Sequence, residues 1–303
     1  MKTYLNALSQ VLNEGEVRDD RTGVGTISLF GLQQRYDLAK NFPAVTTKKL
    51  AWKSMLGELL WMIEGSGDER RLAEITHGTR DGVVTIWTPN AMAPYWKSKA
   101  QYEGDLGRVY GVQWRKWRTP ISHKAETFKD EFGTLYNRHG SVHIKETDQL
   151  KNLIDGLKND PFGRRHVITA WNPGELNEMA LPPCHMFAQF YVGKDKKLSC
   201  QMYQRSCDMF LGVPFNIASY STLTHMIAQV CGLGVGEFVH VLGDAHIYLD
   251  HIEQVKEQLA REPLPAPQLW LNPDITDIGK FTMEDIKLVD YQSHEPIKAR
   301  MAV

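Results

Sequence analysis

The sequence predicts an α/β (α+β) protein, and three observations carry that reading. Apolar residues recur at helical spacing over 52–63 and 148–161, and 217–231 is apolar on nearly every side. Apolar and polar residues alternate over 186–192 and 198–203 on either side of the turn GKDKK, the pattern of a β-hairpin. The chain has 303 residues, 42 % hydrophobic and 23 % charged, which suits a soluble globular core held in one large domain or two.

In chain order, residues 1–15 read as a short helix with Tyr4, Leu5, Leu8 and Leu12 on one face. DDRTGVGT (19–26) is a loop entering the strand VGTISLFG. FPAVTTKKL (42–50) leads to a helix whose stripe is Trp52, Met55, Leu56, Leu59, Leu60 and Ile63. Glu58 falls beside that stripe, where a carboxylate is costly unless hydrogen-bonded or protonated, and where burial would fit it for proton transfer near neutral pH. Helix and loop follow to 104, anchored by Trp87, Tyr95 and Trp96. Residues 118–146 are polar with weak periodicity and read as an inserted loop or small subdomain. DQLKNLIDGLKNDP (148–161) is a helix closed by Pro161, and RRHVITAWNP (164–173) starts a strand. After the hairpin and the apolar helix, 237–243 is a strand and 246–261 a helix with Tyr248, Ile252, Val255 and Leu259 on one face. One more strand precedes an apolar terminus. With no repeats or low-complexity linkers, the chain reads as a single domain, 1–303, with an insertion at about 116–147.

Formal net charge is −1, which argues against a general electrostatic grip on nucleic acid or anionic membrane. An anion site must then be a local arginine cluster. No apolar run reaches membrane-spanning length, and MKTYLNALSQ has no signal-peptide core. Cys184, Cys200, Cys207 and Cys231 lack metal-ligand spacing, so the expectation is a reducing, cytoplasmic setting with no disulfide and no metal.

Candidate chemistry concentrates in LPPCH (181–185) and QRSCDMFLGVPFNIASY (204–220). Cys184 is either a small buried hydrophobe or a nucleophile. Pro182 and Pro183 remove two backbone donors, a poor recipe for an ordinary strand, and His185 sets a polar ring beside the sulfur. A nucleophilic cysteine acts as thiolate, so it needs cations or hydrogen-bond donors nearby, and Arg205 is at hand, with Arg164 and Arg165 upstream. Each arginine is locally readable as surface charge or as a forked anion ligand. Arg21 between acids and glycines, the pair Lys48–Lys49, and Tyr110 between Gly107 and Gly111 are equally open between surface or packing roles and binding.

These motifs, with DRTGVGT (20–26), ELLWMIEG (58–65), DLGRVYGVQWR (105–115), DAHIY (244–248) and IKARMAV (297–303), together resemble the thymidylate synthase family from end to end, apart from about 116–147. The resemblance implies a large twisted mixed β-sheet flanked by helices and a sheet-to-sheet homodimer. It implies reductive methylation of dUMP by 5,10-methylenetetrahydrofolate. Cys184 would add to C6 of the pyrimidine, with Glu58, Tyr110, His185, Asn216, Asp208 and Arg205 as the remaining catalytic set. The dUMP ligands would be Arg21, Arg164, Arg165, Gln204, Arg205, Ser206, Cys207, Asp208, Asn216, His246, Ile247 and Tyr248. Arg164 and Arg165 would arrive from the other subunit. The folate would meet Lys48, Trp87, Asp208, Gly212, Phe215, Ala302 and Val303, the last two closing over it.

An asparagine at 216 can donate to O4 and accept from N3–H of uracil, whereas cytosine presents the reverse, so Asn216 argues for dUMP over dCMP. Departures from the family pattern lie on the folate side. Ala51 stands where a histidine is common, TPNAMAPYW follows Trp87 without an early second tryptophan, and Asp290 and Glu295 replace a glycine and a proline. They keep open a deoxyuridylate hydroxymethylase, in which water takes the place of hydride. A nucleotide- or RNA-binding protein on the same scaffold is a further class, which the near-neutral charge and intact catalytic set disfavour.

Overall fold

The computed structural model describes residues 1–301 except 123, 124, 130, 132, 134, 140 and 141. The chain opens with α1 (Lys2–Glu14), β1 (Glu16–Arg18) and β2 (Thr26–Asp37), then α2 (Trp52–Glu64), α3 (Glu69–His77), α4 (Thr88–Ala91), α5 (Pro94–Lys97) and α6 (Gly111–Arg115). The excursion at 117–147 contains β3 (Trp117–Ser122), β4 (Ala125–Lys129), β5 (Leu135–His139) and β6 (Val142–Thr147), paired antiparallel as β3–β6 and β4–β5. Next come α7 (Gln149–Asn159), β7 (Val167–Thr169), β8 (His185–Val192), β9 (Lys197–Asp208), α8 (Gly212–Val230) and β10 (Gly234–Tyr248). α9 (Ile252–Ala260), β11 (Gln268–Leu271) and β12 (Ile286–Val289) complete it.

Among the described residues, a six-stranded sheet runs in the order β1-β2-β10-β9-β8-β7. Only β9 and β10 are parallel in it; the other pairs are antiparallel. A parallel pair needs a long crossover, and α8 supplies it. α8 is apolar all round because it is covered all round: Tyr220 stacks on Phe238 of the sheet, and α2 packs on its other side. The opposite sheet face is open and carries Phe30 (83 % exposed) and Tyr191 (66 %).

At one level of the sheet the pairing skips Arg205, Gly243 and Gly31 on three adjacent strands. Inward parity changes there. On β10, Phe238, His240 and Leu242 are buried before this level, and Ala245 and Ile247 after it. Gly31 has φ +85°, and a Cβ on Gly243 would sit 3.0 Å from the Arg205 carbonyl, so the shift uses glycine on two of the three strands. Beyond it, the strand ends turn a fresh set of side chains to solvent.

The expected helix at 246–261 is corrected. β10 continues to Tyr248 because its backbone is paired on both sides, to β2 and to β9. Ala245 and Ile247 face the core while His246 and Tyr248 face away, a period of two that outweighs the helical spacing read further on. The α-helix begins only at Ile252. The strand expected at 237–243 is correspondingly longer. The weak periodicity of 118–146 concealed the β3–β6 strands.

Candidate active site

The strand ends beyond the parity shift build one wall. β8 begins at His185, immediately after the proline-held Cys184. The N–H of Arg205 donates to the Cys184 carbonyl at 2.8 Å. The guanidinium donates from Nε to the Pro183 carbonyl and from Nη2 to the Pro182 carbonyl, each at 2.9 Å. Both prolines lack N–H groups but keep acceptors, and a planar fork can bridge two of them. Arg205 also lies 5.2 Å from the Trp171 ring. Register then places Ser206 beside Asp244 and Asp208 beside His246.

Arg205 favours the Cys184 thiolate electrostatically, and the neighbouring hydroxyls of Tyr110 and Ser206 act in the same direction. Burial outweighs them and pushes the thiol above its ordinary value. The cationic setting expected for Cys184 is therefore present in part. It leaves the resting sulfur protonated, because desolvation is the larger effect. Tyr110 is fixed by its own backbone, φ +28°, a strained value for a non-glycine. Its hydroxyl accepts from the Cys184 N–H at 2.8 Å. A Cβ on Gly111 would lie 2.2 Å from the Met62 carbonyl, so only glycine allows this close approach to α2.

His185 stacks on Tyr110 with ring centroids 4.2 Å apart, and burial pulls it down to about 3. Its Nδ1 is 3.0 Å from the Tyr220 hydroxyl, a phenol that burial holds far above its usual range. Both groups are neutral, and this nitrogen is the hydroxyl's hydrogen-bond partner. The contact engages Nδ1 with the hydroxyl and leaves Nε2 as the nitrogen without a protein partner among the described residues. Sequence reading missed Tyr220. The available signal was its position four residues after Asn216, on the same helix face.

The second wall is helical. Trp87 Nε1 donates to Glu58 Oε1 at 2.6 Å, and the Trp87 ring meets Tyr110 edge-on. Burial raises Glu58 to about 7 against the lowering pull of that bond, so the expectation for this carboxyl holds. Asn216 is half-buried in the first turns of α8, and its amide has no hydrogen-bond partner among the described residues. Asp208 Oδ1 accepts from the N–H groups of Phe210 and Leu211 at 2.9 and 3.0 Å, shaping the turn into α8, where Gly212 and Phe215 follow.

At the far side, Asp20 closes the loop that carries Arg21. Its carboxylate accepts from the N–H groups of Thr22 and Gly25, and the Gly25 carbonyl accepts from Leu249 N–H at the end of β10. Burial pushes Tyr248 up to about 12, and Asp208, Asp20, Arg21 and Cys184 all act on it electrostatically. The Arg21 loop, Cys184 and the β10 end thus lie within electrostatic reach of one another. His246 is buried against Tyr248, edge-on at 5.3 Å, with Nδ1 3.2 Å from Asp244 Oδ1.

Several expected ligands are placed otherwise. Cys207 and Ile247 are fully buried in the core, so only their main-chain groups can face a ligand. Gln204 is buried too, its Oε1 2.9 Å from His240 Nε2 and its Nε2 donating to the Ser206 carbonyl. Lys48 is neither a surface lysine nor an outward grip. Its Nζ donates to the Phe210 carbonyl at 2.5 Å, 3.5 Å from that ring's centroid, and burial pulls it down to about 7. Arg164 and Arg165 are exposed and away from Cys184: β7 starts opposite Gln189, which pairs with Gln201, four residues along β9 from Arg205. Ala302 and Val303 lie outside the described residues. Among the described residues no cluster of three or more His, Cys, Asp or Glu side chains is placed to hold a metal ion, and no helix is long and apolar enough to cross a membrane.

A thiol, a carboxyl near neutrality, a neutral histidine and a free amide around one cleft suit covalent addition to a polarised ring. Comparison with known proteins agrees. The chain is 48 % identical over 304 aligned residues to a bifunctional dihydrofolate reductase-thymidylate synthase of Zea mays, covering 99 % of this chain and 54 % of that protein. It is 49 % identical over 304 residues to a provisionally named counterpart of Oryza sativa subsp. japonica, covering 99 % of this chain and 57 % of the relative. The chain therefore spans about half the length of these curated relatives. Neither comparison favours the hydroxymethylase alternative. The family model described as thymidylate synthase matches residues 2–303, so the chain belongs to the thymidylate synthase family.

Proposed function

We propose that this chain catalyses the reductive methylation of dUMP by 5,10-methylenetetrahydrofolate, giving dTMP and dihydrofolate. The observation that carries the reading is the setting of Cys184. Its backbone N–H donates to the Tyr110 hydroxyl, Arg205 fastens the chain around it and favours its thiolate, and the unpartnered Asn216 amide stands in the first turns of α8. The thiol loses its proton as it adds to C6, and the two hydroxyls and Arg205 stabilise the sulfur's charge as it forms. Asn216 pairs with N3–H and O4 of the uracil ring. Glu58, poised at about 7, and the neutral His185 support charge at O4, and Tyr110 serves removal of the C5 proton through water. Arg21, Arg205 and Ser206 take the phosphate; His246 and Tyr248 take the ribose hydroxyls. Gln204 supports Ser206, and Cys207 and Ile247 contribute main-chain groups only.

The folate, when bound, supplies both the one-carbon unit and the hydride. The residues fit it. Asp208 commits only Oδ1 to the backbone, leaving Oδ2 for a ring N–H donor, and Trp87, Gly212 and Phe215 border the same side. Lys48 would act on the folate through its buried hold on Phe210, and Ala302 and Val303 would close over the site. The chain works as one domain with a peripheral excursion at 116–147, in a reducing cytoplasm suited to its four free thiols. The open sheet face, with Phe30, Phe187 and Tyr191, supports a sheet-to-sheet homodimer in which Arg164 and Arg165 reach the partner's phosphate site. Mass spectrometry after incubation with 5-fluoro-dUMP and the folate tests the reading. A ternary adduct on Cys184 is expected, and Cys184→Ser abolishes adduct and turnover while retaining dUMP binding. No adduct, or turnover of dUMP without the dihydrofolate absorbance, would overturn it.

A further inference from the structure

Glu69 stands at the start of α3 and is 1 % exposed, a depth at which a carboxylate needs full partnering. Its Oε1 accepts from the hydroxyls of Thr85 at 2.6 Å and Thr88 at 2.5 Å. Its Oε2 accepts from Arg70 Nε at 2.5 Å and pairs with the other arm of that guanidinium. Arg70 in turn donates from Nη1 to the carbonyls of Arg80 at 3.1 Å and Val83 at 3.3 Å. One adjacent acid–base pair thus fastens residues 80–88 to the end of a helix.

The two threonines are used in both directions. Thr85 Oγ1 accepts from the Trp87 N–H at 3.1 Å, and Thr88 Oγ1 accepts from the Thr85 N–H at 2.8 Å. Each hydroxyl therefore gives its proton to Glu69 and accepts a backbone N–H, that of Trp87 for Thr85 and that of Thr85 for Thr88. Trp87 then donates its indole hydrogen to Glu58.

We propose that Glu69 is a positioning residue of the active site, which through Thr85 and Thr88 sets where Trp87 presents its indole N–H and so where the Glu58 carboxyl points. The proposal rests on the reading above that Glu58 serves methyl transfer. The route from Glu69 to Glu58 is continuous: carboxylate, threonine hydroxyl, tryptophan backbone, indole, carboxyl. This is also the segment in which the sequence departs from the family pattern after Trp87, so the pair offers a local way to hold that tryptophan.

Thr85→Val and Thr88→Val remove the hydroxyls at nearly constant volume; Thr85→Ser and Thr88→Ser keep them. In the valine chains, kcat is expected to fall ~10–100-fold while KM for dUMP stays within about twofold, and the serine chains are expected to recover kcat. The 15N–1H resonance of the Trp87 indole, assigned by its loss in Trp87→Phe, is expected to move in the valine chains and hold in the serine chains. That resonance reports the clamp whether or not the chain methylates dUMP, so failure of the clamp and failure of the functional reading are separable. Folded valine chains with the wild-type resonance and kcat would overturn the proposal. If the valine chains do not fold, Glu69→Gln serves. An amide cannot accept from Arg70 and from both threonines at once, so the same shift and loss are expected, and a wild-type resonance with wild-type kcat there overturns the proposal equally.

Discussion

The two walls of the cleft are held in place by different means. The strand-built wall, from Cys184 through Arg205 to His246 and Tyr248, is positioned by backbone register and one level of skipped pairing on three strands. On the helical wall, Glu58 and Trp87 are positioned by side-chain hydrogen bonds between segments far apart in sequence, while Asn216 is carried by the backbone of α8. Register places a residue through many cooperative bonds, so single substitutions change what the strand wall does and not where it stands. The helical wall depends on a few individual contacts, and losing one moves the group it supports.

The largest test concerns the strand wall. Arg164 and Arg165 sit away from Cys184 in one chain, and in the proposed homodimer a second copy would supply them to that wall. Cys184→Ser and Arg165→Ala should each be nearly inactive alone. Unfolded together and refolded at equal amounts, they should recover roughly a quarter of wild-type activity, since half the dimers are mixed and each holds one intact site. No recovery, with a dimer verified by sedimentation, would mean that the phosphate is held within one chain.

A smaller effect addresses the helical wall. Asn216→Asp should reverse the donor–acceptor match and lower the preference for dUMP over dCMP by roughly 10–100-fold, in line with about 1–3 kcal/mol for a buried unpaired polar group. Competition kinetics with unchanged selectivity would remove Asn216 from base choice.

The smallest is a stability effect at the same wall. Folding raises Glu58 from 4.5 to about 7, so the native state binds its proton more tightly than the unfolded chain does. The favourable contribution is complete below 4.5 and is lost as pH rises through about 7, amounting to roughly 3 kcal/mol by pH 8. Glu58→Gln should therefore raise Tm by several degrees at pH 8 while abolishing most activity, and the gain should shrink toward zero near pH 4. An unchanged Tm at pH 8 would show that the carboxyl is not desolvated.

Much was legible in the residues themselves. LPPCH and the 204–220 run place Cys184 beside Arg205, because one precedes and the other lies in a hairpin whose pairing is local. The position of Glu58 beside an apolar stripe left it open between a half-exposed acid and a buried one, and the structure leaves it half-buried with a raised proton affinity. Reading failed at 246–261, where backbone pairing on both sides of β10 overrode a helical spacing. It failed for Lys48 as well, since a lysine's sequence neighbours do not reveal that a phenylalanine carbonyl 162 positions away will bind it.

By itself the sequence determined the alternation of helix and strand and the candidate reacting groups, and it supplied the argument for pairing the Asn216 amide with uracil. These depend on residue type and short spacing. Only the tertiary structure decided that burial raises the Cys184 thiol, that Tyr220 meets His185, that Glu69 holds the two threonines beside Trp87, and that Arg164 and Arg165 lie exposed and away from Cys184. Desolvation and long-range hydrogen bonds depend on what surrounds a group in space, and that is set by packing of distant segments.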